Sequence, residues 1–447
     1  MTNRRPHPDS APSPHAGDTA PPGEGAALND AAHPRVLLLM SPATYRAGAF
    51  LNAAEHLGIE VIQGVDHPRG LPELGGNLLG VDLNNPPVAR DQIVAFAGTN
   101  GVDAILAIDD SATLVAATAN AALGRPHNDP DSALAARDKW VMRQAFARAG
   151  LPVPFFERFP ATADPAEIAG ALPYPNVVKP TRLSGSRGVI RADDPDSFIS
   201  AWNRTKRLLI EDEGLDPDQA VILVESFIPG VEVALEGLLV DGELQVLALF
   251  DKPDPLDGPF FEETIYVTPS RLPEDVQERI ALRTAEAAAA VGLRIGPVHA
   301  ELRINDEDVW PIELAGRSIG GLCSSVLEFG AGMSLEELIL RQAAGLSLDS
   351  TERNAAAAGV MMIPIPKAGL LRAVDGIEEA SAVPGITGIE ITARLNYPIV
   401  PLPEGASYLG FIFARGDDPA TVEAAIRESH AKLKIRIDPM LAFGKLP

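Results

Sequence analysis

A β-hairpin that concentrates charge is indicated by the segment His299-Ala-Glu-Leu-Arg-Ile-Asn-Asp-Glu-Asp-Val-Trp-Pro-Ile-Glu-Leu-Ala-Gly-Arg317. A turn over residues 305–308 with a register centred on Glu307 places Glu301 opposite Glu313 and Leu302 opposite Ile312. Strand alternation then predicts one apolar face, made of Ala300, Leu302, Ile304, Trp310, Ile312 and Leu314. The other face would carry His299, Glu301, Arg303, Pro311 and Glu313.

The two glutamates of this hairpin would repel each other, because like charges directly opposite on neighbouring strands destabilise the pair. A divalent cation would remove the repulsion, and Mg²⁺ is typically bound by one or two carboxylates together with substrate phosphates. A solvated outer face, on which salt and water screen the charges, would also tolerate the pair. The hairpin alone leaves both interpretations open.

A glycine-rich loop is the second informative segment, Lys179-Pro-Thr-Arg-Leu-Ser-Gly-Ser-Arg-Gly-Val189, between two predicted strands. Gly185 and Gly188 permit the positive φ angles at which successive N–H groups form an anion-binding nest. Lys179, at the end of a strand, would place its ammonium on the same anion. A mobile hairpin loop without a ligand would have a similar composition, so this segment alone does not decide between the two.

Three more groups of polar residues are ambiguous when each is considered alone. Glu225, the backbone of Phe227 and Glu232 flank a Pro-Gly turn and would suit a purine ring and its ribose, but such residues are often ordinary strand-edge charges. A helical Lys139 would ordinarily be solvated. Arg317, followed by Ser-Ile-Gly-Gly, offers a fixed fork of donors for a carboxylate or a phosphorylated group, or it belongs to a plain turn.

The chain of 447 residues is too long for one hydrophobic core and predicts several domains. Residues 1–34 are rich in proline and contain no aromatic residue, so we expect them to be disordered. After them, apolar strands alternate with helices, which indicates a parallel sheet covered on both faces. We expect an N-terminal α/β domain over residues 35–125, with strands at 35–40, 59–62 and 103–108 and helices at 45–57 and from Ser111, the expected cap, to Leu123.

A larger domain of mixed strands and helices is predicted over residues 126–350, with a lid subdomain at about 150–228, and a small α+β domain over 351–447. One long helix, Asp131–Ala149, would open the larger domain. The expected strand pairs are 176–179 with 188–191 and 221–227 with 231–240, followed by a strand at 244–250 and a helix, Glu274–Val291. The last domain would contain strands at 359–365, 408–413 and 434–437 and a helix at 421–433.

Composition excludes several classes of protein. Lys and Arg number 37 against 61 Asp and Glu, and the net charge of −24 disfavours binding to nucleic acid or to anionic membranes. No apolar run approaches the ~20 residues of a membrane span, and the first residues have no apolar signal core. A single cysteine, Cys323, excludes an internal disulfide and suits a reducing cytoplasm, where we expect the protein to reside.

The order and spacing of these motifs resemble the ATP-grasp superfamily of ADP-forming carboxylate–amine ligases, from about residue 35 to the end of the chain. Within it, the sequence is most similar to the L-amino acid ligases that make dipeptides. The segment Met361-Met-Ile-Pro-Ile-Pro-Lys-Ala-Gly-Leu-Leu371 resembles the start of their C-terminal domain. The resemblance implies an ATP-grasp fold, with an α/β domain before it and an α+β domain after it.

The same resemblance implies a role for each motif. Lys139 and Lys179 would contact ATP phosphates, and the loop containing Ser184, Gly185, Ser186 and Gly188 would close over them as a lid. Glu225 and the backbone of Phe227 would meet adenine, and Glu232 would meet ribose. Glu301 and Glu313 would hold Mg²⁺, with Mn²⁺ as an alternative ion. Arg317 would stabilise an acyl phosphate and the tetrahedral intermediate, with His299 near the amino-acid substrates.

One position departs from the family pattern, and three alternatives follow. Ala315 stands where much of the superfamily has an asparagine that also binds metal, which puts a second metal site in doubt. The ligase could use a carboxylate that is not an amino acid or another amine, or the chain could be a non-catalytic nucleotide-binding protein with a degenerate site. A biotin-dependent carboxylase is disfavoured because no biotin-carrier motif is present. The expected partners are small molecules, and a homodimer is the default assembly.

Overall fold

The computed structural model describes residues 33–42, 44–67 and 77–440. The expected disorder of residues 1–34 therefore falls almost entirely outside the described residues and stays a prediction. Among the helices that are described, none combines the length and the apolar character needed to cross a membrane.

The N-terminal unit is a four-stranded parallel sheet in the order β3-β2-β1-β4, as the apolar runs predicted. Its elements are β1 (Arg35–Met40), α1 (Ala47–Leu57), β2 (Glu60–Asp66), β3 (Leu78–Val81), α2 (Pro86–Asn100), β4 (Ala104–Ala107) and α3 (Asp110–Ala122). The sequence did not predict β3 or α2. The expected cap at Ser111 is wrong, because α3 begins at Asp110 and its N-cap residue is Asp109.

The predicted long helix is wrong, because two helices occupy its place: α4 (Pro130–Arg137) and α5 (Lys139–Arg148). Asp138 between them has an extended backbone, and its carboxylate accepts hydrogen bonds from the N–H groups of Trp140 and Val141. A side chain that caps a new helix start in this way satisfies N–H groups that the helix itself cannot. The break makes Lys139 the first residue of α5.

A second sheet lies in the region predicted to be the lid subdomain, with the strand order β5-β8-β6-β7. Its elements are β5 (Phe156–Pro160), α6 (Pro165–Ala169), β6 (Asn176–Pro180), β7 (Ile190–Ala192), α7 (Pro195–Arg207) and β8 (Val221–Ser226). The predicted pairing around the glycine loop is confirmed, with Val178 opposite Ile190. The predicted pairing of 221–227 with 231–240 is wrong, because β8 lies in this sheet while the next strand lies in another.

The largest sheet has eight strands in the order β13-β12-β9-β10-β11-β14-β18-β16. They are β9 (Val231–Val240), β10 (Glu243–Asp251), β11 (Ile265–Thr268), β12 (Gly296–Ile304), β13 (Val309–Ala315), β14 (Ala357–Ile363), β16 (Ile386–Ile391) and β18 (Gly410–Gly416). Every neighbouring pair is antiparallel. The sheet therefore runs through residues on both sides of position 350.

The remaining elements cover this sheet and complete the C-terminal region. They are α8 (Glu274–Val291), α9 (Leu335–Ala343), α10 (Ile377–Ser381), α11 (Pro419–Lys432) and a small sheet of β15 (Gly369–Asp375), β17 (Pro398–Ile399) and β19 (Lys434–Asp438). The bounds of α8 agree with the prediction. Short π and 3-10 turns lie at Leu208–Asp212 and Cys323–Val326.

The charged hairpin, β12 and β13, confirms the predicted pairing of Glu301 with Glu313. The predicted pairing of Leu302 with Ile312 is wrong, because a β-bulge after Glu301 places Leu302 opposite Pro311. Two residues of β13 thus face one of β12, which redirects side chains locally. Pro311 is buried behind the sheet instead of lying on the polar face, and Ile312 lines the same cavity as Glu313.

Apolar clusters hold these units around a common centre. One cluster joins β1 and α1 to α9 and to one side of the large sheet, including Phe250 and Phe411. Another packs α5 and α8 against the other side of β9 and β12, with Phe146 and Leu302 completely buried. The lid has its own core around Trp202. Three layers, namely the N-terminal sheet, the sheet of β5 to β8 and the large sheet, therefore meet at the polar face of the hairpin.

We expect Gly230→Ala to destabilise the fold strongly. Gly230 forms the crossing from the lid sheet to the large sheet at φ 127°, and a Cβ there would lie 2.2 Å from the carbonyl oxygen of Ile304. The left-handed backbone costs roughly 1–3 kcal/mol for a side chain, and the overlap with backbone adds to this. Thermal unfolding followed by circular dichroism should show a much larger drop in Tm than for Gly214→Ala, which has φ 67° and open space around it. Equal drops would contradict the crossing geometry.

Candidate active site

A cavity of about 480 Å³ lies where the three layers meet. The carboxyl ends of parallel strands β1 and β4 contribute Ser41 and Asp110 to its wall, at the edge of the sheet where open α/β folds bind ligands. Every predicted site residue lines the cavity except Gly188: Lys139, Lys179, Ser184, Gly185, Ser186, Glu225, Phe227, Glu232, His299, Glu301, Glu313 and Arg317. The sequence motifs thus converge in space, and their roles remain proposals.

The two opposed carboxylates of the hairpin each have their own lysine. Lys139 Nζ lies 3.1 Å from Glu313 Oε1 and donates to the carbonyl of Leu183 at 2.7 Å. Lys252 Nζ lies 3.4 Å from Glu301 Oε1. Among the described residues, no hydrogen bond engages the second oxygen of Glu313. Protein ammonium groups thus offset part of the repulsion and leave a carboxylate oxygen available.

Lys252 is the centre of a buried acidic cluster. Its ammonium contacts Glu232 at 2.9 Å and also contacts Glu263 and Glu301. Burial would lower the pKa of Lys252, but the three carboxylates raise it well above its usual value. Burial and the nearby Glu301 raise the pKa of Glu263 to about 7 in spite of Lys252. The ligand atoms of the three glutamates lie within 4.8 Å of one another, and the lysine takes the place that a cation would take there.

Glu225 is shared by two buried cations. Arg143 Nε donates to its Oε1 at 2.6 Å, and Lys179 contacts its Oε2. Burial would raise the pKa of Glu225, but Arg143 and Lys179 more than offset this and lower it to about 2. Burial and Arg143 lower the pKa of Lys179, although Glu225 opposes them. Both carboxylate oxygens are engaged, so adenine would meet the backbone near this residue rather than a free carboxylate.

Aromatic and guanidinium groups form the wall next to Phe227. Its ring stacks on Phe261 with 6.3 Å between centroids. The guanidiniums of Arg191 and Arg303 lie 4.3 Å and 5.0 Å from the centre of the Phe227 ring. Arg303 also donates to Glu232 at 2.8 Å. This wall offers flat apolar faces next to polar backbone, which suits a heterocyclic ring.

The glycine-rich loop is closed against the C-terminal region. Gly185 and Ser186 have φ of 63° and 54°, so two consecutive residues adopt the left-handed backbone, whereas an anion nest pairs a right-handed with a left-handed residue. Gly188 lies outside the cavity wall, and its N–H donates to the carbonyl of Pro403 at 2.8 Å. Arg204 makes a two-pronged contact with Glu404 at 2.7 Å and 2.9 Å. The loop around Pro403 and Glu404 therefore contacts both the glycine-rich loop and α7 of the predicted lid.

Arg317 and His299 are both held by acidic partners. Arg317 Nη2 donates to Asp110 Oδ2 at 2.8 Å, and although burial opposes it, Asp110 raises the pKa of the guanidinium. His299 Nδ1 lies 3.1 Å from Glu236 Oε2, and its Nε2 lies 3.7 Å from Glu301 Oε1. Burial raises the pKa of Glu236, which is completely buried. Acidic partners thus fix the orientation of both predicted catalytic groups on the cavity wall.

Several site residues were missed in the sequence. Asp110 follows β4 at the ligand-binding edge of the sheet, so the strand order alone could have indicated it. Lys252 is the first residue of the loop at 252–261 and Glu263 follows this loop, whose proline and glycine content is typical of a segment that covers a site. Arg143 lies one helical turn after Lys139 on the same face of α5, a spacing that could have indicated it.

We expect Glu225→Gln to destabilise the protein by roughly 3–5 kcal/mol at pH 7, because it leaves two buried cations with a neutral partner. The lowered pKa means that this stabilisation is complete above about pH 4.5 and is lost as the pH falls toward 2. Urea unfolding across this range should show the gap between wild type and variant closing in acid. Glu60→Gln, which removes an exposed pair with Arg35, is the control and should cost about 0–1 kcal/mol. A gap independent of pH would contradict the ion cluster.

Comparisons with known proteins match two parts of the chain. The ATP-grasp domain family matches residues 172–326, and the family L-amino acid ligase C-terminal domain 2 matches residues 361–438. The crystal structure of L-amino acid ligase from Bacillus licheniformis superposes with a TM-score of 0.73 at 24% identity, covering 91% of this chain and 99% of that one. At this identity, the superposition shows the fold.

Curated relatives include two kinds of ligase. Alanine–anticapsin ligase of Bacillus subtilis is 27% identical over 268 residues, which cover 56% of this chain and 56% of the relative. D-alanine–D-alanine ligase of Ralstonia pickettii (strain 12J) is 28% identical over 225 residues, 48% of this chain and 64% of the relative. The matched region thus spans between half and two thirds of these relatives. With its cavity geometry and both domain matches, the chain contains an ATP-grasp domain and the C-terminal domain of the L-amino acid ligases.

Proposed function

We propose that the protein is an ADP-forming ligase that activates an amino-acid carboxylate as an acyl phosphate and joins it to the amine of a second amino acid. The observation that carries this proposal is the single cavity in which Glu301 and Glu313 face each other beside Lys139, Lys179 and Arg317. Such a site combines charge for phosphates with a fixed guanidinium for a developing oxyanion. The two relatives named as ligases support the same class of reaction.

The chemistry requires activation, because a carboxylate oxygen is a poor leaving group. Transfer of the γ-phosphoryl of ATP to that oxygen gives an acyl phosphate and ADP. The amine then attacks the acyl carbon, and phosphate leaves with the electrons of the broken C–O bond. Positioning and charge neutralisation contribute most in phosphoryl transfer, and Lys139 and Lys179 would supply both to the phosphates.

The hairpin carboxylates suit Mg²⁺, because they are oxygen ligands on one cavity wall and Glu313 keeps an oxygen without a hydrogen bond among the described residues. Glu301 and Glu313 would hold the ion, and bound Mg²⁺ would neutralise phosphate charge. Mn²⁺ would fit the same ligands. Lys252 already occupies the centre of the neighbouring acidic cluster, so the positive charge there is supplied by the protein's own ammonium group.

The remaining groups would bind and orient the reactants. Arg317, fixed by Asp110, would donate to the acyl phosphate and to the oxyanion that forms on attack. The aromatic wall at Phe227 would accept adenine, and Glu232 the ribose. The lid at Ser184–Gly188 would keep water from the acyl phosphate. A cytoplasmic location and a two-fold homodimer remain expectations from the sequence.

A non-catalytic nucleotide-binding protein is the second candidate, favoured by Ala315 at the cavity wall. The two candidates differ in turnover. Purified protein incubated with Mg-ATP and pools of amino acids should release ADP and phosphate only when both a carboxylate and an amine are present. Nucleotide binding without release of phosphate under any combination would favour the second candidate and refute the ligase.

We expect Glu313→Gln to lower kcat by about 10²-fold or more, because it removes charge that would act on the transferring phosphoryl group. Its fold should be unchanged by circular dichroism. Glu307→Gln, an exposed glutamate in the turn of the same hairpin, is the matched control and should keep wild-type turnover. Near-normal activity of Glu313→Gln would remove this residue from the proposed metal site.

We expect Glu404→Gln to uncouple ATP hydrolysis from ligation, because it weakens the contact with Arg204 that fastens the lid. Water would then reach the acyl phosphate more often, and the ratio of phosphate released to product formed should rise above one. The ratio is measured by following phosphate and product in the same reaction. Glu428→Gln, which removes an exposed pair with Lys432, should leave the ratio at one. An unchanged ratio in Glu404→Gln would show that this contact does not govern water access.

A further inference from the structure

Arg46 is a buried cation without a carboxylate partner. It lies between β1 and α1, is 4% exposed and lines the cavity. Nη1 donates to the carbonyl of Ile108 at 2.6 Å and Nη2 donates to the hydroxyl of Ser318. Its Nε–H, although buried, has no acceptor among the described residues. A buried guanidinium with neutral partners and an unused donor is costly unless an anion completes it.

The nearest carboxylates are already engaged. Asp109 accepts from the N–H and hydroxyl of Ser41 at 2.9 Å and 3.1 Å, and from the hydroxyl of Thr44 at 3.0 Å. Glu236 accepts from the N–H of Ile319 at 3.0 Å and faces His299. Glu336, a third carboxylate near Arg46, accepts from the hydroxyl of Ser324 at 2.6 Å, and none of the three forms an ion pair with Arg46. The charge of this corner is therefore left for a ligand to balance.

A second guanidinium increases the positive charge at this corner. Arg317 Nη1 donates to the carbonyl of Ser318 at 2.9 Å, so Arg46 and Arg317 bind the same residue. Burial and the neighbouring Arg317 lower the pKa of Arg46. Helix α1 begins immediately after Arg46 without a side-chain cap, and its N-terminus adds partial positive charge. Asp110 already pairs with Arg317, so an anionic ligand would balance Arg46 and the start of α1.

The position of Arg46 indicates which anion this is. The reacting carboxylate has to meet the phosphates, and the groups proposed for these, Lys139 and Glu313, form an ion pair with each other. Glu313 is among the main charged neighbours of Arg317, whereas neither Glu313 nor Lys139 is among those of Arg46. An anion at Arg46 is therefore a different group from the one that is phosphorylated. In a reaction that joins an acid to an amine, this is a carboxylate carried by the amine substrate.

We propose that Arg46 binds the non-reacting α-carboxylate of the amine substrate and so selects an α-amino acid over a simple amine. This inference rests on the proposed ligase function and adds the residue that determines specificity for its second substrate. Arg46 would hold the carboxylate in place through its unused Nε–H and its charge. The amine on the neighbouring carbon would then be directed toward the acyl carbon held near Arg317.

Arg46 also connects two layers, since Ile108 belongs to the N-terminal unit and Ser318 follows the hairpin. A purely connecting role would require its hydrogen bonds but no ligand carboxylate. The two roles differ in what they predict for substrates. A connecting residue treats all amines alike, whereas a binding residue discriminates between amines with and without a carboxylate.

The first test varies the substrate and leaves the protein unchanged. An amino acid that serves as the amine substrate is compared with its α-carboxamide, which has the same side chain and stereochemistry. Amidation lowers the pKa of the neighbouring amine, so more of the carboxamide is present as the free nucleophile and a weaker reaction reports lost binding. We expect kcat/KM to be at least about tenfold lower for the carboxamide, the loss that one charge-assisted hydrogen bond explains. Equal values would overturn the proposal even if no variant could be purified.

The second test uses Arg46→Gln, Arg46→Lys and the exposed control Arg90→Gln. We expect Arg46→Gln to raise KM for the amino-acid acceptor about tenfold or more, to leave KM for the carboxamide and for ATP unchanged, and so to abolish the discrimination. Arg46→Lys should restore part of it, and Arg90→Gln should behave as wild type. Equal losses on both acceptors in Arg46→Gln would assign Arg46 to a connecting role only.

Failure of this inference is distinguishable from failure of the ligase proposal. If no combination of carboxylate and amine releases ADP, the ligase proposal fails. If ligation proceeds equally well with amino acids and with their carboxamides, the ligase proposal holds and the role of Arg46 fails.

Discussion

Two like charges placed opposite each other on one hairpin are the constraint on which the site depends. Glu301 and Glu313 are direct cross-strand partners, and each is partly neutralised by a lysine from another part of the chain. Lys139 reaches Glu313 because a helix starts at this residue, and its own N–H donates to the carbonyl of Thr181 at 2.8 Å. Through these two contacts, Lys139 joins helix α5 and the backbone that follows β6 to the hairpin.

The charges of the cavity are separated by position. Cations dominate where Lys179 and Arg143 share one carboxylate, and carboxylates dominate around Lys252. At the N-terminal corner, Arg46 carries a positive charge that no carboxylate of the described chain pairs with. In the proposed reaction, the triphosphate would place its negative charge beside Lys139 and Lys179. The α-carboxylate of the second amino acid would place its charge beside Arg46.

Local patterns predicted the fold class and most of the gathered side chains, and tertiary effects account for the rest. The pairing of Glu301 with Glu313 followed from strand alternation, but the bulge beside them changes the count by one residue and moved Ile312 to the cavity. The helix break depended on one aspartate capping a new start, which periodicity does not detect. The sequence predicts that β8 pairs with the strand that follows it, because the Pro-Gly turn between them is typical of a hairpin. In the structure, this turn is a crossing between two sheets.

Partners distant in sequence were beyond local patterns altogether. Asp110 meets Arg317 across more than two hundred residues, and the unused donor of Arg46 is defined only once three loops are packed together. The central claim, that this cavity phosphorylates a carboxylate, is tested most directly with an amino acid whose carboxylate is labelled with ¹⁸O. Mass spectrometry of the released phosphate should show one labelled oxygen per turnover. Unlabelled phosphate formed together with the ligated product would contradict an acyl phosphate in this site.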